Sequence, residues 1–173
     1  AILEDAARRL EAGGAQCVLL CTNTMHKVAS RIQVAVSIPF LHIADPVGLA
    51  AARAGWTTVG LLGTAFTMEQ AFFRDHLAQA HGLTVLTPGP EERAAVHRII
   101  YDELCAGVVK DESRRVYLDA IEALARQGAQ AVVLGCTEIS LLVGPGDSTV
   151  PLLDTTALHA LAAVDFALHD QPE

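Results

Sequence analysis

An α/β protein of two similar lobes, each a mostly parallel sheet flanked by helices with a cleft between them, is what this sequence predicts. Two observations carry that prediction. Helical and strand signals alternate along the chain, as expected when helices cover a parallel sheet. One pattern of helix end, short strand and polar turn also occurs twice: residues 14–24, GAQCVLLCTNT, align with residues 128–138, GAQAVVLGCTE. The echo continues in IPFLHIAD (38–45) and VPLLDTT (150–156), each a strand opened by proline. Two such lobes meet at a cleft lined by the carboxyl ends of their strands. The expected organisation is a first lobe over 1–47, a second over 48–150, and a strand and helix over 151–173 returning toward the first.

The elements follow in order. Residues 2–12 form an amphipathic helix that stops at Gly13-Gly14. CVLLC (17–21) is a short buried strand, and residues 22–36 are helical with Asn23 or Thr24 as N-cap. PFLHIAD (39–45) is a strand, and residues 46–55 form a helix closed by Gly55. TTVGLLG (57–63) is a strand, and 64–82 reads as one helix stopped by Gly82. LTVLTP (83–88) is a strand, followed by helices over 91–108 and 112–127. AVVLG (131–135) and VPLLD (150–154) are strands separated by a loop around GPGDST, and a last helix starts near Thr156.

Composition narrows the function. The chain has 173 residues, 51% of them hydrophobic, with a mean hydropathy of +0.35, enough for a core without covalent staples. No apolar run reaches the roughly 18 residues of a membrane span, and the opening helix, rich in acids and arginines, is not a signal peptide. A formal charge of −8 without a basic stripe argues against nucleic acid. The four cysteines, Cys17, Cys21, Cys105 and Cys136, lack the density of a disulfide scaffold. They read as free thiols in a reducing cytoplasm, with Cys17 and Cys105 in the core. The seven histidines show no HExxH or paired-cysteine spacing, so no metal site is expected; GxGxxG is absent, so no dinucleotide site is either.

The repeat points to the chemistry. At its register Cys21 falls opposite Gly135, and Thr22 opposite Cys136. Successive strand side chains face opposite ways, so Cys21 and Thr22 do not both reach the cleft. The register selects Thr22, with Cys21 packed behind it as the alternative candidate. A thiol, with a free pKa of about 8.5, is tunable by helix N-termini and nearby charges. Asn23, Thr24, Thr137 and Glu138 stand at helix starts, where N–H groups hold carboxylates. Glu138 either tunes the neighbouring thiol or simply begins a helix. A thiolate on one side of a carbon and a proton donor on the other would exchange its hydrogen with inversion.

CTNTMHK, LLGTAFT and GCTE together resemble the aspartate/glutamate racemase superfamily, in particular its broad-specificity amino-acid racemase branch. The resemblance runs through essentially the whole chain. It implies pseudo-symmetric lobes, a racemase or epimerase of a free acidic or polar amino acid working by two bases without pyridoxal or any other cofactor, and a homodimer. The family has cysteine directly before the asparagine of its first motif. Here Thr22 holds that place and Cys21 stands one residue early, in agreement with the register of the repeat, while Gly135-Cys136-Thr137 matches the second motif. Cys136 is then the principal base and Thr22 the partner on the opposite face. Asn23, Thr24 and Thr137, with Thr64 and Thr67 of GTAFT, are placed around the substrate, and Lys110 is a candidate for a distal carboxylate. Family members begin with a strand and a Gly-rich turn, whereas this chain opens at a helix, so the first lobe is expected to be incomplete. Two further readings stay open: a related decarboxylase or cis–trans isomerase of small diacids, and a shortened protein that binds a ligand or partner without turnover.

Overall fold

The computed structural model describes residues 2–169, without the side chain of His169. Helix α1 (Ile2–Ala12) precedes β1 (Val18–Leu19), a 3-10 turn over Thr24–Val28, α2 (Ala29–Ala35) and β2 (Phe40–Leu41). Then follow α3 (Asp45–Ala54), β3 (Thr58–Gly63), α4 (Ala65–Glu69), α5 (Ala71–His81), β4 (Thr84–Leu86), α6 (Pro90–Asp102) and α7 (Asp111–Arg126). The chain closes with β5 (Ala131–Gly135), β6 (Leu152–Asp154) and α8 (Thr155–His169). All strand pairs are parallel: β1 and β2 form a small sheet, and β4-β3-β5-β6 form a larger one.

The internal repeat is visible in the backbone. Val18 N–H donates to Pro39 O at 2.8 Å, and Val132 N–H donates to Pro151 O at 2.9 Å. Val18 pairs with Phe40 and Val132 with Leu152, one residue beyond the proline in each case. Gly14 and Gly128, the first residues of the repeat, both have left-handed backbones, with φ of 91° and 103°. Glycine enters that region without the steric cost other residues meet.

Two expectations are corrected. Residues 64–82 form two helices, because Gln70 is extended (ψ 151°) between α4 and α5. Met68 and Phe73 are both buried, yet in one continuous helix they would lie about 140° apart; the break lets both reach the core. The helix expected over 91–108 ends at Asp102, followed by a 3-10 turn over Leu104–Ala106 that stops at the left-handed Gly107. β6 pairs with β5 in the larger sheet, while α8 packs on β2 as well as β5.

The core sits on the larger sheet, where all five β5 residues are buried and α6 and α7 pack across β3. The small sheet has its own cluster, centred on Ala7, Val18 and Ile32. No helix among the described residues is long and apolar enough to cross a membrane.

Candidate active site

The carboxyl ends of β1 and β5 open into one cavity of about 290 Å³. Thr22, Asn23 and Thr24 line it from beyond β1; Gly135, Cys136, Thr137 and Glu138 line it from the end of β5. Thr64, Tyr101 and Cys105 complete the wall. Cys21 instead lines a separate depression with Leu19, Ile43 and His159, so the structure places Thr22, and not Cys21, in the space that holds Cys136. Thr67 lies behind the wall, fully buried.

Cys136 is partly buried, and its thiol donates to Glu138 Oε2 at 2.9 Å. Thr137 Oγ1 donates to the same oxygen at 2.7 Å. Burial, with the adjacent Glu138 carboxylate, pushes the Cys136 thiol up to about 12, so the group rests protonated. Burial works against ionisation of Glu138 as well, but the two donors hold its carboxyl below the ordinary value.

Asn23 stands at the N-cap position of the 3-10 turn over Thr24–Val28, as expected, but its side chain does not cap it. Its Nδ2 donates across the cleft to Thr155 Oγ1 at 3.0 Å, and Thr155 in turn donates to Leu134 O at 2.9 Å. Because the Thr155 proton is committed to Leu134, its oxygen must accept, which fixes the orientation of the Asn23 amide. Asn23 Oδ1 is buried without a protein partner. Thr24, Thr64 and Thr67 form a triangle of hydroxyls with Oγ1 separations of 3.2, 3.3 and 3.4 Å. Thr64 also caps α4, accepting from Thr67 N. Lys110 pairs with Glu103 at 3.1 Å, away from the cavity lining.

Thr22 is held through its backbone. His26 Nδ1–H donates to Thr22 O at 2.7 Å, and His26 Nε2 accepts from Ile43 N–H at 3.1 Å. One imidazole thereby ties the ends of β1 and β2, and it does so only as the neutral Nδ1–H tautomer. Burial supports that state by pushing His26 down to about 4.

The sequence reading missed three groups. Cys105, expected in the core, is exposed and faces the cavity from the 3-10 turn after α6. Tyr101 joins it from the last turn of α6. Thr155 could have been singled out, since it follows the second proline-led strand of the repeat.

The chain matches the Asp/Glu/Hydantoin racemase family model over residues 1–163. It belongs to that family. A crystal structure of a candidate Asp/Glu racemase from Yersinia pestis superposes with a TM-score of 0.93 at 49% identity, covering 97% of this chain and 73% of that one. An aspartate racemase homologue from Pyrococcus horikoshii OT3 gives a TM-score of 0.87 at 32% identity, covering 97% and 74%. The broad-specificity amino-acid racemase RacX of Bacillus subtilis (strain 168) is 26% identical over 169 residues, 95% of this chain and 70% of its own length. The two-lobed α/β architecture expected from the repeat is the fold this family member shares with those structures.

Proposed function

We propose that this chain is an isomerase that racemises or epimerises a free acidic or polar amino acid, with Cys136 and Thr22 on opposite faces of the substrate α-carbon. The observation that carries this reading is the meeting, in one cavity, of two residues that occupy the same register position in the two halves of the repeat. Asn23 Oδ1, buried and unpartnered, suits the substrate ammonium. The hydroxyls of Thr24 and Thr64, anchored by Thr67, suit its carboxylate, and that of Thr137 joins them once it turns from Glu138.

The thiol is the better acid of the pair, so the thiolate, although intrinsically less basic than an alkoxide, is the base that forms far more readily. In the free protein it rests protonated, so its first competence is to donate. To abstract, it must lose its proton, with the adjacent Glu138 oxygen as first acceptor. A substrate ammonium in the cleft favours the thiolate, because an opposite charge within a few ångströms stabilises the ionised form. A threonine hydroxyl donates or relays a proton far more readily than it removes one. The two directions of inversion are therefore unequal in rate. No step needs a cofactor in this reading, and a homodimer in a reducing cytoplasm is its setting.

The test is exchange of the substrate α-hydrogen in deuterated water across a panel of free amino acids, with stereochemistry followed in parallel. The wild-type chain should exchange with inversion, and Cys136→Ala should lose at least the roughly 10² to 10⁴ of a general acid–base group. Exchange undiminished in Cys136→Ala refutes the assignment. Release of carbon dioxide in place of inversion supports the decarboxylase, and binding without exchange supports a protein without turnover. Thr22→Cys should shift the balance between the two directions; an unchanged balance makes Thr22 a bystander.

A further inference from the structure

Away from the cleft, four groups from separate parts of the chain converge. His42 follows β2, Asp45 opens α3, and His76 and His81 lie on α5. Their spacing in the sequence shows no metal pattern, and only the fold brings them together. His76 Nε2 and His81 Nε2 both reach Asp45 Oδ1, at 2.5 and 2.9 Å. The His42 and His76 rings stack nearly parallel, with centroids 3.7 Å apart and an interplanar angle of 8°. One donor atom from each of His42, Asp45 and His76 lies within 4.8 Å of the other two. His42 is buried, the His81 side chain is 15% exposed, and the Asp45 side chain is 44% exposed, so the group is walled by histidine and open at the carboxylate.

The packing around the group is specific. A Cβ at Gly48 would stand 2.1 Å from His81 Cγ, so α3 accommodates this ring only because residue 48 is glycine. His76 lies between the His42 ring and the Asp45 carboxylate. The cluster adjoins the cleft's support, since the His42 ring also meets the His26 ring edge-on, with centroids 4.4 Å apart, whereas Asn23 is held separately by Thr155.

We propose that His42, Asp45 and His76, with His81 as a fourth donor, form a binding site for a divalent transition metal of the zinc class. Imidazole nitrogens with one carboxylate oxygen are the donor set that zinc, cobalt and nickel prefer, whereas magnesium and calcium take oxygen. Binding exchanges bonds within the cluster. The metal replaces the Nε2–H···Oδ1 contacts of His76 and His81, whose protons move to Nδ1, and Asp45 supplies the negative charge. At His42 it costs only the 3.2 Å bond that Nδ1 accepts from Ala44 N. The exposed side of Asp45 gives the ion its entry path and leaves a position for water. This inference does not rest on the racemase reading.

The experiment titrates the chelator-stripped chain with Zn²⁺ by calorimetry and with Co²⁺ by absorption spectroscopy. One equivalent should bind, giving visible Co²⁺ bands without the intense near-ultraviolet band of thiolate ligation. Binding should persist in a Cys105→Ala, Cys136→Ala double variant. His76→Gln and Asp45→Asn should weaken it by at least about 100-fold, the upper range for losing even an outer-shell partner of a metal. Should His76→Gln fail to fold by circular dichroism, Asp45→Asn decides the matter, its side chain being the most exposed of the four. A folded wild-type chain that binds no stoichiometric metal overturns the proposal, leaving a hydrogen-bonded His–Asp cluster. So does a thiolate band, which would assign the ion to the cysteines of the cleft, or unchanged affinity in Asp45→Asn.

Discussion

The strand that ends at Cys136 and the strand that leads to Thr22 carry the same sequence pattern and pair with their proline-led partners in the same register, yet they are held by different forces. β5 has strands on both sides and five buried residues in the main core. β1 is two residues long and, among the described residues, paired only to β2, over a cluster of three buried apolar residues that includes its own Val18. Cys136 is therefore placed by close-packed apolar surface. Thr22 is placed by polar ties, from His26 to its carbonyl and from its neighbour Asn23 to Thr155. Equal sequence thus does not mean equal support: the half with little core uses hydrogen bonds to hold Thr22, the residue proposed as its proton donor.

Substitutions on the two sides test that contrast. The largest effect belongs to the large sheet: Leu62→Ala, at a fully buried position, should cost about 2–5 kcal/mol, read from denaturant unfolding. Gly135→Ala comes next. A Cβ there would stand 2.9 Å from Leu61 Cδ1 and 3.0 Å from Leu62 O, an overpacking worth about 2 kcal/mol, seen as a lower unfolding midpoint. Thr155→Val keeps the shape of the side chain but removes both hydrogen bonds. It should cost about 1 kcal/mol while lowering the deuterium-exchange rate more than the stability, because it loosens Asn23. An exchange rate that falls only in step with the folded fraction would show that the polar tie has no positioning role.

A pH series sharpens the other side. The Cys136 thiol is raised from an ordinary value near 9 to about 12, so the folded state holds this proton more tightly than the unfolded one. The stability it contributes is complete below pH 9 and is lost as pH rises toward 12. In Cys136→Ala that alkaline decline should be shallower; an identical decline would show that other groups account for all of it. The smallest effect is expected at Cys21, the repeat counterpart of Gly135. It is exposed, so Cys21→Ala should stay within about 0.5 kcal/mol of wild type and leave exchange unchanged.

Much of this contrast was legible in the sequence. The register of GAQCVLLCTNT on GAQAVVLGCTE placed Thr22 opposite Cys136 and Cys21 opposite glycine, because strand alternation survives without coordinates. The two proline-led strands were legible as well, though not that each pairs with the strand of the repeat before it. What the sequence did not show was non-local. The break at Gln70 has no glycine or proline to mark it and arises from the need to bury both Met68 and Phe73. Cys105 passed for a core thiol because the helix expected to carry it ends three residues earlier, at Asp102. The cap position of Asn23 was legible, but its side chain's partner Thr155 lies 132 residues away. The convergence of His42, Asp45 and His76 likewise depends on three elements meeting, which no spacing along the chain reveals.

The Asn23–Thr155–Leu134 connection has a geometric consequence. Leu134 lies two residues before Cys136, and Asn23 directly follows Thr22, so two consecutive hydrogen bonds act as a gauge between the two residues proposed to exchange protons with the substrate. The distance a proton must travel from either side is then set without reference to the substrate side chain. Variation among relatives in which amino acid they accept should accordingly concentrate in the wall formed by Tyr101 and Cys105, leaving the span between those two residues, Thr22 and Cys136, constant.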